Sequence, residues 1–123
     1  MTPAIFEQAF KPDATPEQIE LVNRAVAKVE GYVYYDGWNH PQDVNYPVEA
    51  DAPRYVQDAN NSNRVIGKAI VQDPVMFTIH LGIILGDCDV PLTEHGARQL
   101  ALTVATAPQS ARLYAAYKTL GGE

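Results

Sequence analysis

From Val75 to Leu85 every second residue is apolar: Val75, Phe77, Ile79, Leu81, Ile83 and Leu85. Such alternation is the pattern of a β-strand with one buried face. The interleaved positions, Met76, Thr78, His80, Gly82, Ile84 and Gly86, are small, mixed and partly polar. β-branched residues and two glycines speak against a helix over the same stretch. The pattern predicts a central strand at about 75–86, with the rest of the chain packed on it or hung from its ends.

The flanking segments are read in the same way. Residues 64–72 alternate, with Val65, Gly67, Ala69 and Val71 on one face and Ile66, Lys68, Ile70 and Gln72 on the other. They predict a strand that joins the central one through a hairpin at Asp73-Pro74, wider than a two-residue turn because proline cannot supply a positive φ. Tyr32-Val33-Tyr34-Tyr35 reads as a further strand, and Tyr55-Val56-Gln57 as a short edge strand.

Helical signals lie on either side. Thr15-Pro16-Glu17-Gln18 has the form of a capping box with proline at the first helical position. Ile19, Val22, Val26 and Val29 then form one stripe and Gly31 stops it, which predicts a helix over 16–30. Thr93 caps a second helix, 94–106, striped by Ala97, Leu100, Ala101 and Val104. Thr106-Ala107-Pro108-Gln109 matches the capping box again and opens a third, 108–120, with Leu113, Ala116, Tyr117 and Leu120 inward. Ile5, Phe6, Ala9 and Phe10 make residues 4–10 a short helix or an arm docked on the core or on a second subunit.

The expected fold is α+β: an antiparallel sheet of 3–4 strands with three helices on one face. The chain of 123 residues is read as one domain, with an N-terminal arm at 1–14 and a long loop at 37–63 punctuated by Pro41, Pro47 and Pro53. The passage from Val90-Pro91-Leu92-Thr93 to Ala97-Arg98-Gln99-Leu100-Ala101 resembles segments of small actinobacterial and actinophage domains; the resemblance implies no chemistry.

Composition narrows the class of function. Hydrophobic residues make up 46% and charged residues 20%, enough apolar material for one core. The net charge of −6 and the scattered basic residues disfavour a phosphate-binding surface, so nucleic acid is not expected as a partner; the acidity suits either solubility alone or a basic protein partner. Cys88 is the single cysteine, which suits a reducing compartment. Met1-Thr2-Pro3 opens without the regions of a secretory signal and no apolar run reaches a membrane span, so a cytoplasmic location away from membranes is expected.

Two groups of residues can carry chemistry. His80, Asp87, Cys88, Asp89, Glu94 and His95 cluster around the end of the predicted central strand. Histidine beside a carboxylate makes a general base, and Cys88 with His95 would make a nucleophile and its base. Their spacing matches no catalytic or metal motif, and a turn at Asp87 and Asp89 with a helix-capping Glu94 explains them equally. No metal or cofactor is expected. The second group is Tyr32, Tyr34, Tyr35, Trp38, Asn39, His40 and Tyr46, in and beside the proline-punctuated loop. Tyrosine and tryptophan give contact area at low entropic cost, so this region reads as a recognition surface that can lose Trp38 without unfolding; the alternative is that alternate tyrosines of the strand fill the core and Trp38 pins the loop.

The function expected is a non-catalytic, acidic accessory protein of inhibitor, immunity or phage type. It would hold a protein partner through Tyr34, Tyr35, Trp38, His40 and Tyr46, and a homodimer would cover the small-residue face of the sheet. The alternative is a small enzyme or ligand-binding protein with a pocket around His80, between sheet and helices, bordered by Tyr34 and His95.

Overall fold

The computed structural model describes residues 1–34, 37–39, 52–85 and 106–123. Among them helices dominate: α1 (Pro3–Ala9), α2 (Pro16–Glu30), α3 (Ala59–Gln72), α4 (Pro74–Leu85) and α5 (Gln109–Thr119). The β structure among the described residues is one antiparallel ladder of two rungs, between β1 (Val33–Tyr34) and β2 (Trp38–Asn39). It pairs Val33 with Asn39 and Tyr34 with Trp38. The expected α+β fold with a 3–4-stranded sheet is therefore overturned: helices pack on helices, and the ladder is too short to form a layer.

The N-terminal half follows its local signals. Pro3 opens α1, and the Thr2 hydroxyl accepts from the Ile5 N–H at 3.4 Å. Phe6 and Ala9 bury its inner face, so the predicted arm is a docked helix. α2 spans the predicted residues. Thr15 Oγ1 accepts from the Gln18 N–H at 3.2 Å, and Gln18 Oε1 accepts from the Thr15 N–H at 2.9 Å. Gly31, at φ 109°, closes the helix in the left-handed conformation that glycine adopts without steric cost.

The predicted strands at 64–72 and 75–86 are both helical. Asp58 caps α3, its carboxylate accepting from the Asn60 N–H at 2.9 Å. The buried residues Ser62, Val65, Ile66 and Ala69 fall at i, i+3, i+4 and i+7. The alternation seen over 64–72 came from Val71 and Ile70, which are exposed here, and from Gly67, where a Cβ would meet nothing within 4 Å. Residues 59–63 of the predicted loop are the opening of α3, and Tyr55–Gln57, expected as an edge strand, form a bend.

Asp73-Pro74 is a joint between helices, not a hairpin. The Asp73 N–H ends α3 on the Ala69 carbonyl at 2.9 Å. Its own carbonyl then accepts from Phe77 at 3.0 Å and its carboxylate from the Met76 N–H at 3.1 Å, so it also starts α4. α3 and α4 diverge by 120° across this residue. On α4, Phe77 and Leu81 are buried one turn apart and Ile84 packs against the core beside them. Of the rest of the apolar alternation, Val75, Ile83 and Leu85 are exposed and Ile79 is half-buried. The interleaved positions carry only Thr78 and His80 as polar side chains, too few to set the buried face of a strand apart from that of a helix.

α5 lies at the centre, in contact with α1, α2, α3 and α4. Ala111, Leu113, Ala115, Ala116 and Tyr117 are buried on more than one side of it. Three alanines let neighbouring helices approach closely, and Phe6 of α1 packs edge-on to Tyr114 at 5.1 Å and tilted to Tyr117 at 5.3 Å. The second capping box does not form: Pro108 occupies the cap position, and no side chain caps the helix. The predicted helix over 94–106 lies outside the described residues, Thr106 excepted. Beyond α5, Gly122 sits under the Tyr117 ring where a Cβ has no room. The Met1 nitrogen donates to the Glu123 carbonyl at 3.0 Å.

Candidate functional site

The predicted aromatic surface divides. Tyr34, on β1, is 63% exposed, and its ring meets that of Trp38 edge-on at 5.5 Å. Trp38 is only 4% exposed and belongs to the core, with its indole N–H buried and unpartnered. Tyr32 packs against the core and is half-buried. Tyr35, His40 and Tyr46 lie outside the described residues. The tryptophan proposed as a recognition residue is thus a packing residue, and Tyr34 is the exposed aromatic beside it.

His80 is half-buried on α4. Burial, and then the positive charge of Lys118 on α5, hold its imidazole below the usual histidine range. On a helix, residues two apart diverge by about 200°. Thr78 therefore turns away from His80, and the strand-face pocket of Met76, Thr78 and His80 is not assembled. Asp87, Cys88, Asp89, Glu94 and His95 lie outside the described residues. Among the described residues no group of three His, Cys, Asp or Glu side chains could hold a metal ion.

The strongest electrostatic feature escaped the sequence reading. Glu30, the last residue of α2, has a side chain only 1% exposed. Its Oε1 accepts from the Tyr55 hydroxyl at 2.6 Å and from Arg64 Nη2 at 2.7 Å. Its Oε2 accepts from Arg64 Nε at 3.0 Å and from Lys68 Nζ at 2.7 Å. Burial alone would raise its pKa, but the hydrogen bonds from Arg64, Lys68 and Tyr55 outweigh it and hold the carboxyl at about 2. Burial, reinforced by the adjacent carboxylate, pushes the Tyr55 phenol up. The signal available was Arg64 and Lys68, one turn apart on a helix that had been read as a strand.

A second buried group fastens the same region. Asn23 of α2 is buried, and its Oδ1 accepts from the N–H groups of Tyr55 and Val56 at 2.9 and 3.0 Å. Its amide donates to Gln57 Oε1 at 2.9 Å. Asn23 and Glu30, two turns apart, thus clamp the bend before α3 onto α2. Beside the knot runs an open groove of about 470 Å³ lined by Val29, Gly67, Lys68, Val71, Gln72 and Leu120. Every oxygen of Glu30 is engaged, which makes the knot a fastening rather than a reactive centre.

The outward face of α4 is what packing leaves unexplained. Val75 is 61% exposed and Ile83 60%, with Met76 and Leu85 also exposed. Ile79 lies between Val75 and Ile83, one turn from each, and the three form a ridge at i, i+4 and i+8 opposite Phe77. None of the 12 residues of α4 is Asp, Glu, Lys or Arg. A helix that is apolar all round is ordinarily buried all round. Among the described residues no single helix is long and apolar enough to cross a membrane; α3 and α4 together reach the length and composition but bend by 120°. Compared with protein-family models, curated proteins and solved structures, the chain matches none.

Proposed function

We propose that this protein is a non-catalytic binding module that holds a protein partner through the outward face of α4. The observation that supports this reading is the set of exposed apolar side chains, Val75, Met76 and Ile83, on a helix that carries no Asp, Glu, Lys or Arg. Exposed and contiguous apolar side chains of this kind mark interaction sites on soluble domains. The helix beneath is fastened to the core: Phe77 and Leu81 are buried, α4 packs on α5, and Asp73 fixes its start. A pre-ordered face spends little conformational entropy on binding. Tyr34 and Val33, both exposed on β1, offer a smaller second contact area.

The test is affinity capture with the full chain as bait, in parallel with Ile83→Glu. Protein recovered by the native chain and lost with Ile83→Glu supports the reading. Equal recovery by the two baits overturns it. Because Ile83 already faces water, the variant should keep the far-ultraviolet circular dichroism and the melting temperature of the native chain.

A further inference from the structure

We infer that the groove where α2, α3 and the end of α5 meet binds a small amphiphilic monocarboxylate, its head on Lys68 and its apolar tail along Val71 and Leu120. None of these residues lies on α4, so the inference stands apart from the reading of that helix.

Three elements build the groove. Val29 comes from the last turn of α2, Gly67, Lys68 and Val71 from the second half of α3, and Leu120 directly follows α5. Val29 and Leu120 pack against the core, and Val71 stands 85% exposed, so the walls are aliphatic. Gly67 leaves the α3 side bare: a Cβ there would meet nothing within 4 Å.

Charge sets the head group. The 14 residues of α3 include Arg64 and Lys68 and no Asp or Glu. Among the described residues both cations pair with the same carboxylate, Glu30. The Arg64 guanidinium alone matches it, reaching Oε1 at 2.7 Å and Oε2 at 3.0 Å in the two-pronged geometry that suits a carboxylate. Lys68 is therefore a surplus cation. Its ammonium gives one of three N–H donors to Glu30, and its side chain is 49% exposed in the wall of the groove. An apolar channel with one excess positive charge complements an anion that carries a hydrocarbon tail. A carboxylate is matched by one ammonium, whereas a phosphate monoester brings roughly two charges.

Size sets the kind of ligand. About 470 Å³ lies in the range of small-molecule sites. Along α3 the groove runs from Gly67 to Val71, one helical turn or about 5.4 Å. That footing is too short for a protein partner, which buries about 800 Å² on each side. The groove is open, so the ligand keeps part of its surface in water and binds with a dissociation constant of about 0.1–1 mM.

The experiment follows the backbone amides of the full chain by proton–nitrogen correlation NMR while octanoate is added to about 5 mM, with octanol and octylammonium as matched tails. Octanoate should give saturable shifts at Gly67, Lys68, Val71 and Leu120, and the other two should bind at least about threefold more weakly. Lys68→Met should remove that preference and keep the native spectrum elsewhere, because Arg64 still pairs with Glu30. Val71→Glu, at a residue that already faces water, should abolish octanoate binding by setting a like charge in the wall. Ile83→Glu should bind octanoate as the native chain does. No saturable shift up to about 5 mM, shifts centred on Val75 and Ile83, or octanol bound as tightly as octanoate overturns the inference. So does octanoate binding that survives both Lys68→Met and Val71→Glu, or that is lost in Ile83→Glu. Failure on any of these counts leaves the capture experiment on α4 to be decided by its own outcome.

Discussion

Glu30 decides more by its surroundings than by its own chemistry. Its folded pKa lies at about 2, against an ordinary value near 4.5. A carboxylate depressed in this way stabilises the fold above the unfolded pKa, and the contribution is lost as pH falls towards the folded one. The window is therefore about pH 5 down to about pH 2. Breaking a buried pair costs about 3–5 kcal/mol when the remaining charge is stranded. Arg64 and Lys68 are half-exposed and regain water, so about 2 kcal/mol is the better figure for Glu30→Gln. Urea unfolding at pH 7 should show that loss, and titration from pH 5 to 2 should show a shallower fall in stability for Glu30→Gln than for the native chain. Trp38 gives the second prediction at this scale. At 4% exposure, Trp38→Ala should cost about 3 kcal/mol and lower the melting temperature by several degrees. The sequence showed an aromatic in a proline-rich neighbourhood; whether it packs inward or faces solvent depends on how the chain around it folds back on the helices, which composition does not encode.

At the scale of elements, legibility tracked how many independent signals agreed. α2 had a capping box, proline at the first helical position, a 3.6-period stripe and a terminal glycine, and its predicted span was the observed one. α3 and α4 had only an apolar alternation that β-branched residues imitate. Yet the same initiation grammar was present. Thr2-Pro3, Thr15-Pro16 and Asp73-Pro74 each place a capping residue before a proline, and each opens a helix. Read as a helix start, Asp73-Pro74 yields α4; read as a turn, it yields a hairpin. Gly67 offers a test of α3. It lies inside the helix, and a Cβ there meets nothing within 4 Å. Gly67→Ala should stabilise the protein by about 0.5–1 kcal/mol, seen as a higher urea midpoint with an unchanged slope. A loss of stability would show that the segment is not helical at this point.

At the scale of the whole molecule, the architecture hangs on α5. α1 and α5 lie near opposite ends of the chain, and the aromatic contacts of Phe6 with Tyr114 and Tyr117 join them. Native packing of the N-terminal helices therefore waits on the C-terminal one. Ending the chain after Thr106 should abolish cooperative thermal unfolding rather than lower its midpoint, since α1, α2, α3 and α4 all lose their common neighbour. A cooperative transition in the shortened chain would show that the first four helices hold together alone. The sequence predicted this last helix nearly to the residue but not its central position, because its buried alanines look unremarkable one at a time and matter only where four helices converge.

The single-residue joint at Asp73 has a consequence for how the chain selects its own inside. Hydrophobicity gives α4 no preferred rotation: turn it half a revolution and Val75, Ile79 and Ile83 would take the places of Phe77, Leu81 and Ile84 with little change in apolar character. The carboxylate of Asp73, holding the Met76 N–H while its backbone closes α3, fixes the angular phase of α4 relative to its predecessor. One added residue at this joint would advance that phase by about 100° and present different apolar edges to α5 and to solvent. Such a helix is a dial with many equivalent settings, and a short acidic side chain is its detent.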